Sequence, residues 1–232
     1  MFAANVVQLM TPLIFSRLSI TCGLLSLALL LGVTFAAPDL DKTLSLAQQQ
    51  YGVAAVQTVS MWRRLIVETR DVSDLVMLNQ VNTFFNRRIQ FVPDIVVWGK
   101  DDYWATPLEF MGRGAGDCED FSIAKYMTLQ LMGMNKDRLR LIYVRAQTGP
   151  NTSVAHMVLG YYMHATDEPL ILDNLIGTVR PASQRLDLTP VYSFNDTGLW
   201  VGRGTVTNAD PTTRLSQWRD VLNRMHHEGI SP

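Results

Sequence analysis

At 232 residues, with 47% hydrophobic and 18% charged content, the chain carries enough apolar material for one medium-sized core, and a single domain is the default expectation. A formal net charge of −1 and a pI near 6.4 exclude the broad electropositive field that non-specific nucleic-acid binding needs. Nucleic acid is therefore not an expected partner.

In chain order, the first feature is Arg17 followed by "LSITCGLLSLALLLGVTFAAP", an apolar run with no charge until Asp39. Residues 1–36 read as an export signal, with small residues at Thr34 and Ala36 offering a cleavage point after Ala36. The run from Leu18 to Ala37 is also about long enough to span a bilayer, so an uncleaved anchor stays open. Cys22 lies in the run and reads as ordinary signal sequence. Removing 1–36 takes away Arg17 and no acid, and leaves Cys118 as the single cysteine. An exported domain with one cysteine has no internal disulfide, so Cys118 is either an inert buried thiol or one kept free for chemistry.

Residues 37–232 are expected to form one domain. From Asp39 to about Arg88 apolar residues recur at spacings of three and four, which predicts helices with boundaries at Gly52 and Asp71 and with Trp62, Phe84 and Phe85 in the core. Residues 91–116, with four glycines, turn residues and aromatics, read as a loop leading to a site. A helix follows from Cys118 to about Met132, its inner face Phe121, Ala124, Leu129 and Met132, and Gly133 ends it. The period then changes to two in 139–147, 153–164 and 169–175, which predicts strands in an antiparallel meander. "TPVYSFNDTGLWVG" predicts one more hairpin, and "DPTTRLSQWRDVLNRMHHEG" a C-terminal helix.

Chemistry concentrates on Cys118 at the start of a helix, His156 in the second strand and Asp173 near the end of the third. A helix N-terminus supplies unpaired N–H groups and about half a positive charge, which favours a thiolate and an oxyanion. An imidazole can accept the thiol proton, and a carboxylate on its other nitrogen fixes the tautomer. Taken singly, His156 could be a core histidine in the apolar row Val154, His156, Val158, and Asp173 could simply shape a turn. Three acids, Asp117, Glu119 and Asp120, crowd the cysteine. They can also be read as a helix cap at Asp117 and a first turn complementing the helix dipole.

"GRGAGDCEDFSIAKYMTLQLMG", "AHMVLGYY" and "LILDNL" resemble the bacterial transglutaminase-like cysteine proteinases, specifically the LapG-type periplasmic proteases, over roughly residues 60–205. The resemblance implies an α+β, papain-like fold: a helical N-terminal lobe, the nucleophile's helix, and an antiparallel sheet. It implies Cys118 as nucleophile, His156 as base and then acid, and Asp173 as the orienting carboxylate. It further implies a calcium-dependent endopeptidase that cuts the N-terminal retention region of a large surface adhesin near a pair of alanines, releasing it and dispersing biofilm. Such enzymes are sequestered by an inner-membrane cyclic di-GMP receptor of LapD type.

The calcium requirement gives the acids a second reading, because a hard cation takes several oxygen ligands and Asp117, Glu119 and Asp120 supply three carboxylates. At about 100° per residue they fall on one arc of roughly 160°, with Cys118 pointing the other way. Two positive charges would bring the local sum of about −3 to about −1 and ease thiolate formation. A second oxyanion donor could come from Trp98, Trp104 or Asn82. His164, His226 and His227 show no metal-ligand spacing and read as surface residues. Two other functions use the same residues: a transglutaminase-like acyl transferase or other amidase, and a non-catalytic calcium-dependent binding protein.

Overall fold

The computed structural model describes residues 38–69, 72–202 and 209–231. The expected signal segment, Cys22 and the helix boundary at Asp71 lie outside them. The described residues belong to one unit, Ala36–Pro232.

Helices α1 (Leu40–Tyr51), α2 (Val53–Glu68) and α3 (Asp74–Arg88) form the N-terminal lobe. Asp39 caps α1 by accepting from the Lys42 N–H at 2.9 Å, and Gly52 parts α1 from α2 at φ 82°, a backbone value that only glycine adopts without strain. Val59, Trp62, Ile66, Leu78, Val81 and Phe85 are fully or almost fully buried at helical spacing, each contributing about 1.5–3 kcal/mol relative to exposure. The Asp39 N–H donates to Gly229 O at 2.8 Å and the Thr43 hydroxyl to Glu228 O at 2.8 Å, so the two ends of this unit meet.

The segment expected to be a loop is more ordered than its composition suggests. β1 (Gln90–Phe91) pairs in parallel with β2 (Ala115–Gly116), and between them lie α4 (Asp94–Val97) and α5 (Pro107–Arg113). A local capping code explains α5. The Thr106 hydroxyl accepts from the Glu109 N–H at 3.1 Å, Glu109 Oε2 accepts from the Thr106 N–H at 2.9 Å, and Pro107 pre-sets the first turn.

Helix α6 (Cys118–Leu131) runs through the centre, and every one of its residues except Glu119 is buried. The expected inner face of Phe121, Ala124, Leu129 and Met132 lies in the core, and burial extends around the helix because α2, α3 and α5 cover one side and the sheet covers the other. Gly133, at φ 95°, follows its end.

The sheet comprises β3 (Leu139–Gly149), β4 (Thr152–Tyr161), β5 (Leu170–Leu172), β6 (Arg180–Pro181), β7 (Leu188–Phe194) and β8 (Leu199–Val201), in the order β6-β5-β4-β3-β7-β8 with every pairing antiparallel. The expected meander holds from β3 to β6. The β7–β8 hairpin then returns to the other side of β3. Leu141, Met157, Leu159 and Leu172 join the main core with the helices, whereas Ile142, Val144, Val158 and Ile171 form a smaller cluster. This is the two-residue alternation of a sheet covered on both faces. The C-terminal helix divides into α7 (Pro211–Arg214) and α8 (Ser216–His227), because Leu215 takes an extended conformation. No helix among the described residues is long and apolar enough to cross a membrane.

Candidate active site

Cys118 is the first residue of α6, with Asp117 at the N-cap, and it is only 8% exposed. Its thiol donates to Glu119 Oε2 at 2.8 Å. The arrangement expected from helical angles, with all three acids turned away from the thiol, is thus corrected. Glu119 has one more methylene than aspartate, and that reach lets its carboxylate curl back onto its neighbour. Burial pushes the Cys118 thiol well up from its ordinary pKa, and the charges of Glu119 and Asp117 push it further, against a smaller contribution from the Met157 backbone.

His156 on β4 and Asp173 after β5 are both buried, and His156 Nε2 lies 2.8 Å from Asp173 Oδ1. The same oxygen accepts from the Leu175 N–H at 3.0 Å, while Asp173 Oδ2 accepts from Arg185 Nη2 at 2.6 Å. Burial by itself would raise the Asp173 pKa. The hydrogen bond and charge of His156, the Leu175 N–H and Arg185 overcome it and bring the value down to about 2. From the helical lobe, Asn86 Nδ2 donates to Asp173 O at 2.7 Å and Asn82 Nδ2 to Gly177 O at 2.9 Å. Two α3 side chains therefore hold the loop that carries Asp173.

The acids divide into two overlapping groups. Asp94, Asp117 and Asp120 offer carboxylate oxygens within 4.8 Å of one another, and Asp117 and Glu119 form a second such group with Cys118. Asp120 is fully buried; its Oδ1 accepts from the Ala105 N–H at 2.7 Å and its Oδ2 from the Asp117 N–H at 3.3 Å. By contrast, Asp94 Oδ1 and Asp117 Oδ1 are buried with no hydrogen-bond partner. Burial, followed by the charge of Glu119, lifts Asp117 to about 8. Asp94 rises to about 6, through burial and then the nearby acids against a bond from Tyr103, and burial carries Asp120 well above the usual range. Unpartnered carboxylate oxygens converging in a small volume are a donor set that fits calcium.

Sequence reasoning missed Asp94 and Arg185. Asp94 follows Pro93 at the start of the four-residue helix α4, inside the segment whose composition reads as a loop. Arg185 sits beyond a short 3-10 turn with no local pattern that ties it to Asp173.

Among the oxyanion candidates, Asn82 Nδ2 donates to Gly177 O at 2.9 Å, which takes one of its two N–H groups. Trp104 stacks on Phe194 and Trp98 packs on Tyr103, with Trp98 Nε1 buried and unpartnered. His164 is on the surface as expected, though Asp167 bonds its Nδ1 at 2.6 Å. His226 and His227 are exposed in the last turn of α8.

A family model described as bacterial transglutaminase-like cysteine proteinase BTLCP matches residues 55–202. Among solved structures, Legionella pneumophila LapG superposes with a TM-score of 0.70 at 39% identity, over 82% of this chain and 99% of that one. Its EGTA-treated form gives 0.72 at 39% identity, covering 82% and 100%. The calcium-bound form gives 0.68 at 38% identity, covering 80% and 98%. No curated protein sequence matches. With the helical lobe, the buried helix that Cys118 opens and the antiparallel sheet in place, the chain belongs to the bacterial transglutaminase-like cysteine proteinases.

Proposed function

We propose that this chain is a calcium-dependent periplasmic cysteine endopeptidase in which Cys118, His156 and Asp173 carry the chemistry. The observation that carries the reading is the buried His156–Asp173 hydrogen bond of 2.8 Å, in a chain whose cysteine opens the central helix. Asp173 on Nε2 leaves Nδ1 as the nitrogen that exchanges a proton with the thiol. The Cys118 thiol gives its proton to that nitrogen, and sulfur attacks the scissile carbonyl. Negative charge on the carbonyl oxygen is met by N–H groups at the α6 N-terminus. The C–N bond then breaks as the imidazolium returns the proton to the leaving amine. The thioester left on Cys118 is cleaved by water, whose proton passes to His156 and then to the departing sulfur.

Asp94, Asp117 and Asp120, with Glu119 beside the thiol, would hold the calcium ion. When bound, the ion supplies positive charge that offsets the carboxylates opposing a thiolate. The calcium-bound and EGTA-treated forms of the Legionella LapG support this part of the reading.

The substrate is a large surface adhesin, cut in its N-terminal retention region near a di-alanine, with release promoting biofilm dispersal. Sequestration on an inner-membrane cyclic di-GMP receptor of LapD type regulates access. Residues 1–36 deliver the domain of residues 37–232 to the periplasm. Incubating an adhesin N-terminal fragment with wild type and Cys118→Ala, each in calcium and in EGTA, tests the proposal. Two smaller fragments from wild type in calcium alone are expected. An amine-tagged or cross-linked product would move the assignment to acyl transfer, and no reaction in any arm would leave a binding protein.

A further inference from the structure

We propose that Arg185 is a positioning residue that fixes the Asp173 carboxylate for His156; this rests on the His156–Asp173 reading above. Arg185 is 2% exposed although it belongs to neither helical lobe nor sheet, and it lies between the short turn after β6 and the start of β7. Burying an arginine is costly unless acids pair with it, and Arg185 meets two through Nε and Nη2, while its Nη1 is buried with no hydrogen-bond partner. Here Nη2 reaches Asp173 Oδ2 at 2.6 Å, while Nε and Nη2 straddle Asp187 Oδ1 and Oδ2 at 3.0 and 2.8 Å. The guanidinium is thereby held in one plane by a partially exposed carboxylate and presents one N–H to a buried one.

The two oxygens of Asp173 consequently have separate tasks. Oδ2 is taken by Arg185, and Oδ1 is left to His156 Nε2 and the Leu175 N–H. A carboxylate without the Oδ2 anchor can rotate about its Cβ–Cγ bond and deliver either oxygen, or neither, to the imidazole. The cation has a second effect. It adds to the larger effects of His156 and the Leu175 N–H in keeping Asp173 ionised in a buried place, so that Asp173 accepts from the ring and does not donate to it. Arg185 touches no reacting atom, and its influence passes through Asp173 to the tautomer of His156.

The test uses the full chain with calcium, and reads the His156 nitrogens by 15N NMR together with the rate of Cys118 alkylation by iodoacetamide. Wild type should show the Nε2–H tautomer and a downfield proton on the Asp173 bond. Arg185→Gln should lose that proton signal, mix the tautomers and slow alkylation by roughly tenfold or more. Arg185→Lys should restore part of both. If Arg185→Gln does not fold, Asp187→Asn loosens the same guanidinium from a partially exposed position and should broaden the Nε2–H signal in the same direction. A folded variant of either kind with wild-type tautomer and alkylation rate overturns the proposal. Failure of the parent reading looks different: His156→Ala would then alkylate as fast as wild type, while the NMR comparison still reports on Arg185.

Discussion

Asp94 and Asp117 face one another across the entry to α6, each with a buried carboxylate oxygen that no hydrogen bond reaches. Their pKa values, about 6 and about 8, lie above the ordinary carboxylate value, so the folded protein holds protons here that the unfolded chain has released. The slope of unfolding free energy with pH is then negative between the unfolded and folded values. In EGTA, the melting temperature should fall as pH rises from about 4 to about 8. Calcium competes with those protons, so its stabilising shift should grow over the same range. Thermal scans in calcium and EGTA at several pH values check this, and a calcium shift that shrinks with rising pH would contradict it.

Gly116 has a packing reason to be glycine. A Cβ there would collide with Asp120 Oδ2 and with the Phe110 ring at 2.7 Å. Gly116→Ala should therefore displace the Asp120 carboxylate, cost about 1–3 kcal/mol from overpacking, and blunt the melting-temperature rise on calcium addition. Retention of the full calcium shift would show that Asp120 contributes nothing to the ion site.

Glu119→Gln removes a charge from beside Sγ with little change of shape. Because Glu119 is the largest cause of the raised Cys118 pKa after burial, the variant should form thiolate more readily. In EGTA, alkylation by iodoacetamide should quicken by roughly three- to tenfold at neutral pH. An unchanged or slower rate would mean that the carboxylate does not restrain the thiol.

Away from the site, Trp62 Nε1 donates to the Thr128 hydroxyl at 2.7 Å, a fully buried bond between α2 and α6. Thr128→Val keeps the volume and strands the indole N–H, which should cost about 1–3 kcal/mol. Urea unfolding should show a lower midpoint at constant slope, with the Cys118 alkylation rate unchanged. A midpoint equal to wild type would imply that the indole finds another partner.

Elements governed by periodicity or local chemistry were legible in the sequence: the helices around Trp62 and Phe85, the Gly52 break, and the alternation that puts Met157 and Val158 in different clusters. Side-chain relationships set by distant parts of the chain were not. Asp94 and Asp120 are separated by twenty-six positions, and Arg185 meets Asp173 through a turn whose path is fixed by tertiary packing. Glu119 shows a third limit. Its backbone direction on the helix was predictable, but the bend of its side chain toward sulfur was not, because helical angles place Cβ atoms and leave later torsions open.

The pairing of Asp39 with Gly229 and of Thr43 with Glu228 means that chain order is a weak constraint on this fold. A short peptide could join the two ends and the chain be reopened at the exposed Pro150–Asn151 turn between β3 and β4, which falls between Cys118 and His156. Such a circular permutant would carry Cys118 in its last part and His156 near its start, a domain cut in two at a hairpin and available for assembly from separate halves.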